Sequence, residues 1–293
     1  MPLLVAVLYN LALPYWDTLR KNLAQKGVSS LTILHAPNLI GHPIGIAVLF
    51  ALGLFAMPSD PTFFLFWFGM IVIASVAQTF NIWGLLETKF FGVQVLNSLG
   101  FLVNSIAAVI LVGEHLNSIQ LIAIALATIG VVCFAWPQRM APGTFKWDRG
   151  VMFVILYLVL SGFSAALYKL ATFHTPDYNT FLTGRFVGDL IGWTIVWVIG
   201  LTLISHRSPA AELVRCVSNP SGQKMIAGII LSTLVSSWLI YTLPLSTVAM
   251  LGTLTIPSAY LYGRFKYNDK VTTRMWAGTA LIVPAVLLFI YFR

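Results

Sequence analysis

Thr183-Gly184-Arg185-Phe186-Val187-Gly188-Asp189 sets an arginine and an aspartate one helical turn apart inside a long apolar segment. That combination decides the fold class. An i, i+4 spacing lets the guanidinium and the carboxylate meet on one helix face. Charges in such a segment are costly toward lipid, so they face the interior of a helix bundle or a water-filled cavity. The expectation is an all-α integral membrane protein with polar groups buried between helices.

Composition extends that reading to the whole chain. Of 293 residues, 58% are hydrophobic and 9% charged, and the mean hydropathy is +0.88. A helical crossing takes about 20 apolar residues, which leaves room for about ten crossings, short loops and no separate soluble domain. Apolar runs between polar, Pro or Gly breaks predict spans at 2–20, 30–56, 63–86, 91–113, 117–136, 150–171, 179–204, 224–242, 246–264 and 271–292. Helices are preferred to barrel strands because the runs are continuous, without period-two alternation, and a helix satisfies its own backbone in lipid. Asn10, Pro14 and Asp17 interrupt the first run. Its start, Met1-Pro2-Leu3-Leu4, has no basic region and no small-residue cleavage site, so it is read as a retained span. The net charge of +8 comes from basic residues dispersed among short loops, not from a basic face interleaved with aromatics, so no nucleic-acid partner is expected. Cys133 falls in an apolar run and Cys216 in a polar loop, without metal-site spacing, and neither a metal nor a cofactor is expected.

The two halves of the chain share landmarks in one order. Leu19-Arg20-Lys21-Asn22-Leu23-Ala24 closes span 1 and Leu167-Tyr168-Lys169-Leu170-Ala171 closes span 6. His35 and Arg185 follow at an offset of 150 residues, as do Gly113-Glu114 and Gly263-Arg264. This predicts a duplication: a first five-span repeat over 1–137, a connecting loop over 138–149, and a second repeat over 150–293. Five spans is an odd number, so the second copy enters the membrane inverted. Inverted repeats are typical of secondary transporters, whose sites lie near the midplane between the halves.

Gly113-Glu114-His115-Leu116, with Gln120 and then Gly130 sixteen residues after the Glu, resembles the end-of-half signature of the drug/metabolite transporter superfamily, in its ten-span EamA-like branch. The lysines closing spans 1 and 6 and the arginine opening span 7 are similar to the same pattern. Ala123 stands where the family usually has glycine, span 4 lacks the common proline, and Arg264 stands where a Glu might occur in the second half. The resemblance spans nearly the whole chain and implies solute transport. Members of that family move amino acids, other metabolites, drugs or nucleotide sugars.

Counting Lys and Arg on each side of a ten-span topology gives 14 in the odd-numbered loops and 3 on the other side. The positive-inside rule then places the odd-numbered loops in the cytoplasm and both termini outside. The resemblance implies the opposite, because that family usually keeps both termini in the cytoplasm. The membrane expected is the cell (inner) membrane.

Polar residues recur at helical spacing in several spans. Span 4 carries Gln94, Asn97, Phe101 and Asn104 on one face, and span 2 carries His35, Asn38 and His42. Span 3 offers Gln78 and Asn81 with Trp83 nearby. Span 6 has Tyr157, Ser161, Ser164 and Tyr168, and span 8 has Thr233, Ser237 and Tyr241 with Trp238 adjacent. The candidate substrate-binding residues drawn from these stripes are His35, Asn38, Gln78, Asn81, Trp83, Asn97, Phe101, Asn104, Tyr157, Ser161, Tyr168, Ser237, Trp238 and Tyr241, together with Asn10, Arg185 and Asp189. Amides, hydroxyls and aromatic rings suit a small polar solute with an apolar part. Each has a structural alternative. Ser, Thr and Asn also serve as helix-packing residues in membranes, and Tyr260, Tyr262 and Tyr291 at span ends read as interfacial anchors. The Arg185–Asp189 pair could brace the bundle, or Arg185 could hold a substrate carboxylate or phosphate while Asp189 holds it in place or exchanges a proton. Lys169 is open between a helix-end anchor and a second anion contact. His35 and His42 are open between structural hydrogen bonding, substrate contact and proton coupling, and their spacing of seven is a weak metal signal. Glu87 and Glu114 sit at span ends, where a cap or loop contact is expected.

No HExxH, GxSxG or pair of aspartates within one span occurs, so no enzyme is expected. A channel would need a longer continuous polar pore. The reading that remains is a secondary transporter moving a small polar metabolite, with an amino acid or related zwitterion as the best match, by alternating access across the lipid bilayer. Coupled protons or a counter-substrate are left open as partners. A flippase for a lipid-linked substrate and a nucleotide-sugar or organic-anion exchanger remain as alternatives on the same fold.

Overall fold

The structure is a computed structural model that describes residues 2–87, 99–135, 149–267 and 272–292. In chain order its helices are α1 (Pro2–Gln25), α2 (Ser30–Ala51), α3 (Pro61–Glu87), α4 (Gly100–Ala107), α5 (Ser118–Ala135), α6 (Arg149–Thr172), α7 (Tyr178–Ile199), α8 (Pro209–Val217), α9 (Pro220–Thr242), α10 (Leu245–Gly252), α11 (Thr255–Tyr267) and α12 (Thr273–Tyr291). Single π-helical turns, Ala108–Val112 and Gly200–Ile204, prolong α4 and α7. Among the described residues there is no strand. Six helical segments are long and apolar enough to cross a membrane: Ser30–Ala51, Pro61–Asn81, Arg149–Thr172, Tyr178–Leu203, Pro220–Thr242 and Thr273–Tyr291. Pro2–Trp16, Gly100–Val112, Ser118–Cys133 and Leu245–Ser258 are shorter apolar helices.

Local chemistry sets the helix ends. Ser29 caps α2, its Oγ accepting from Thr32 N at 3.2 Å. Asp177 caps α7 by accepting from Thr180 N at 3.0 Å and Thr180 Oγ1 at 2.8 Å, and those two bonds hold its carboxyl below the usual range. Asn117 and Gln120 exchange bonds at the start of α5, a reciprocal capping box. Glu114 accepts from Ser246 N at 3.0 Å, and from Leu245 N and Ser246 Oγ, so it caps α10. Gly113, Glu114 and Gln120 are thus occupied at helix ends, with Gly113 in the left-handed region at φ 79°.

Four features differ from the sequence reading. The second span ends at Ala51, not 56, because Leu52 caps the helix and Gly53 turns the chain at φ 66°. The ninth is not one helix: α10 stops at Gly252 and α11 starts at Thr255, with Pro257 in its first turn, where it needs no donor. Cys216 lies on α8 and is fully buried, not in a loop. The first run is one continuous helix, with Pro14 inside it.

The described chain divides into two compact units, each drawing on both halves of the sequence. The first comprises Met1–Ala12, Ile73–Ala166 and Leu243–Arg293. Within it α5 lies along α12, and α4 along α10. A Cβ on Gly130 would come within 2.9 Å of Ile282 Cγ1 and 3.0 Å of the Gly278 carbonyl oxygen, so α5 and α12 touch almost backbone to backbone.

The second unit comprises Leu13–Val72 and Leu167–Thr242. Here α2 packs on α7 and α9. Lipid tails are as apolar as leucine, so close van der Waals fit drives such packing, and small residues permit it. Gly184, Gly188 and Gly192 form a groove along α7 at four-residue spacing, and Phe63, Trp67 and Ile71 of α3 fill it at the same spacing. Added Cβ atoms would lie 2.6, 2.4 and 2.4 Å from those three side chains respectively. At one end a core of Leu19, Leu23, Ile33, Trp197, Leu201 and Cys216 closes the unit.

Candidate functional site

The second unit gathers its polar side chains around Arg185 and Asp189 on α7. Arg185 Nε lies 3.4 Å from Asp189 Oδ2, and the two side chains are 14% and 7% exposed. The other carboxylate oxygen, Oδ1, accepts from two indoles, Trp67 Nε1 at 3.2 Å and Trp193 Nε1 at 3.1 Å. Trp193 sits one turn beyond Asp189 on the same helix face. Trp67 arrives from α3, and the bare backbone of Gly188 lets its ring come close enough.

Beyond Asp189 the guanidinium reaches several neutral oxygens. Its Nη1 donates toward Ser237 Oγ at 2.7 Å, Ser236 Oγ at 2.9 Å, the Thr233 carbonyl at 3.1 Å and the Tyr168 hydroxyl. Nη1 carries two N–H bonds, so these four oxygens share them. Tyr168 also lies beneath the charge, its ring centroid 5.1 Å from Arg185 Cζ, a cation–π arrangement. His42 Nε2 is 3.4 Å from Thr233 Oγ1 and 3.9 Å from Asp189 Oδ2, and its Nδ1 has no partner among the described residues. His35 stacks on Trp193 at 4.8 Å.

Aromatic rings wall the pair. Phe63 and Trp67 stack at 5.5 Å, Tyr168 and Phe181 at 5.9 Å, and Trp67 meets Tyr168 edge-on at 5.1 Å. Tyr241 lies 5.7 Å from Phe181. One cation, one anion, several hydroxyls and an aromatic lining thus converge from α2, α3, α6, α7 and α9. Lys169 is turned to the Ile240 carbonyl, which its Nζ reaches at 2.7 Å. Among the described residues no group of three His, Cys, Asp or Glu could hold a metal ion.

Of the residues expected to bind substrate, His35, Tyr168, Arg185, Asp189, Ser237 and Tyr241 belong to this cluster. Asn38 donates to the Leu34 carbonyl of its own helix at 3.4 Å, and Trp238 lies half-buried on α9. The first unit holds the others. Asn10 donates to Ala6 O at 2.8 Å and Ser161 to Leu158 O at 2.8 Å, each within its own helix. Phe101 is buried on α4 beside Asn104, whose Oδ1 is buried with no partner among the described residues. Gln78, Asn81 and Tyr157 are half-buried. Gln94, Asn97 and the side chain of Trp83 lie outside the described residues. The sequence reading did not include Trp67, Trp193 or Ser236. The first had no signal in the sequence. Trp193 completes the stripe Arg185, Asp189, Trp193 at four-residue spacing, and Ser236 adjoins a residue already chosen.

No family model matches the sequence, and no curated protein does. Solved structures match: one crystal structure of another protein aligns over 100% of this chain and 99% of its own, with a TM-score of 0.73 and 14% identity. At that identity the likeness shows the fold alone.

Proposed function

We propose that the chain is a secondary transporter of the drug/metabolite type, moving a small zwitterionic metabolite such as an amino acid by alternating access. The observation that carries this reading is the Arg185–Asp189 pair, buried on an apolar helix amid hydroxyls and aromatic rings. Intramembrane ionisable groups face the bundle interior or a water-filled cavity and mark solute or ion pathways and proton relays. A solute carboxylate would exchange for Asp189 at the guanidinium, its ammonium group would face Asp189, and its apolar part would pack on Trp67, Tyr168 and Phe181. The pair is neutral as a whole, which favours a zwitterion over a polyanion such as a nucleotide sugar.

Helix pairing supports the duplicated, inverted ten-span architecture in this proposal. The six long apolar segments and the four shorter ones add up to ten. Three of the helix pairs join corresponding members of the two halves, second with second in α2–α7, fourth with fourth in α4–α10 and fifth with fifth in α5–α12, while α2 also packs on α9, the third of the second half.

Reconstituted protein in liposomes loaded with a metabolite extract, compared with protein-free liposomes by mass spectrometry, tests the function. Selective loss of one or a few zwitterions is expected. Loss of none, alongside a change in lipid-headgroup accessibility, would move the assignment to a flippase. A reporter fused after Arg293 should read outside if the charge count governs orientation; a cytoplasmic signal reverses it.

A further inference from the structure

Between α7 and α9 the chain forms the short helix α8, of nine residues. Both neighbours are long apolar segments, so residues 205–219 leave one crossing and enter the next at the same membrane face. His206 adopts φ 49°, a left-handed conformation that His enters more readily than most residues. The turn is held by Arg207 N donating to Leu201 O at 2.9 Å.

Glu212 organises this face from within. Its side chain is 2% exposed. Oε2 accepts from Ser29 N at 2.9 Å and Thr32 Oγ1 at 3.1 Å, at the start of α2. Oε1 accepts from Arg207 Nη1 and Arg215 Nη1, both at 3.0 Å. Arg207 Nη1 also reaches the Gly27 carbonyl at 3.3 Å, beside exposed Lys26. Burial raises the Glu212 carboxyl, but the bonds from Ser29, Thr32 and Arg207 outweigh it and hold the group below its ordinary value, charged. One oxygen therefore sets two guanidiniums side by side. Their side chains are 45% and 60% exposed, and each has N–H donors beyond the one used on Glu212. Two cations share one anion, leaving a net positive charge. Leu203, four residues before Arg207, and Val214, next to Arg215 in sequence, are well-exposed apolar residues of the same segment.

We propose that Arg207 and Arg215, bridged by buried Glu212, bind the phosphate of an anionic phospholipid at this membrane face. Guanidinium matches phosphate oxygens in paired hydrogen bonds. Glu212 holds both arginines before the ligand arrives, so less side-chain freedom is lost on binding. Leu203 and Val214 offer acyl chains a surface that a free phosphate would not use.

The test uses the full-length purified protein, titrated with phosphatidylglycerol or phosphatidylcholine and followed by native mass spectrometry and thermal unfolding. Phosphatidylglycerol should bind preferentially and raise the melting temperature. At about 1 kcal/mol per interfacial cation, Arg215→Gln should weaken that binding about fivefold and Arg207→Gln with Arg215→Gln about 30-fold. Lys224→Gln with Arg274→Gln, an equal loss of charge elsewhere, should leave it unchanged. Unaltered preference in the double arginine variant overturns the proposal, as does an equal loss in the charge control. Inorganic phosphate matching the lipid's effect would also overturn it, showing a free-anion site. If the double variant fails to fold, Arg215→Gln decides, because Glu212 then keeps Ser29, Thr32 and Arg207.

Discussion

Trp67 donates its indole N–H to Asp189 at 3.2 Å while its ring edge occupies the space that a side chain on Gly188 would fill. The hydrogen bond and the helix contact are one arrangement: the missing Cβ brings the ring near enough to solvate the carboxylate. In lipid no water can take that role, so packing supplies the donor.

Gly188→Ala should therefore act twice. A Cβ would lie 2.4 Å from Trp67 Cδ1, a contact with a rigid ring that cannot swing aside. The expected cost is about 1–3 kcal/mol of stability, as for an overpacked core. Thermal unfolding in detergent and indole fluorescence check it; an unchanged melting temperature and spectrum would mean that α3 shifts freely.

Asp189→Asn should destabilise the protein by about 3–5 kcal/mol, because Arg185 is left without its anion in a buried site. Adding Arg185→Gln should restore most of that stability, since the orphaned charge is gone. Transport should be lost in both single variants and stay lost in the double. A double variant that regains transport along with stability would make the pair a brace.

Glu114→Ala removes the cap from α10, where Leu245 and Ser246 donate. A loss of about 1–2 kcal/mol is expected, and Glu114→Gln, which keeps an acceptor but no charge, should cost less. Unfolding curves of the two variants distinguish hydrogen bonding from helix-dipole attraction.

The sequence reading expects Asn97→Leu with Asn104→Leu to leave folding intact and abolish transport, whereas the proposed solute contacts lie in the second unit, around Arg185 and Asp189. The buried Asn104 Oδ1 has no partner among the described residues, so an apolar side chain of similar size gives up no bond there. Lost transport would bring α4 into the solute path, and normal uptake would leave the Arg185–Asp189 cluster as the site.

Asp60 precedes α3, and bonds from Thr62, first through its side chain and then its backbone, with one from His174 at 2.7 Å, hold it down at about 2. Its folded value lies below the ordinary 3.8, so its contribution is present above that pH and fades as pH falls through about 2. The melting temperature of Asp60→Asn should trail that of the native chain at pH 5, with the gap closing toward pH 2. A gap that persists at pH 2 would assign the effect to lost hydrogen bonds alone.

Much of the fold could be read from hydropathy, because lipid imposes long uninterrupted helices and apolar runs record them. Span ends were harder. Gly252 and Pro257 signal a break between α10 and α11, yet the run stays apolar through Thr253 and Leu254, and hydropathy alone reads one helix. Cys216 looked like a loop residue because α8 is short and its buried side is partly polar. In the site, Arg185, Asp189 and Tyr168 were visible as polar groups in apolar runs. Trp67 was not, since a tryptophan in a membrane helix has many uses and only the α7 groove gives this one a partner. Ser161 had the right spacing, but its side chain, like that of Asn10, bonds the backbone one turn back, a choice that periodicity does not reveal.

The ladder of Phe63, Trp67 and Ile71 against Gly184, Gly188 and Gly192 also works as a vernier. Both repeats are four residues long, so α3 could slide one repeat, about 6 Å, along α7 and find glycines again for two of its three side chains. Only one of those rungs carries an N–H. In the present register Trp67 is opposite Gly188 and reaches Asp189; a turn either way would bring Phe63 or Ile71 there and leave that acceptor bare. Shape alone would tolerate several alignments, and the carboxylate selects one.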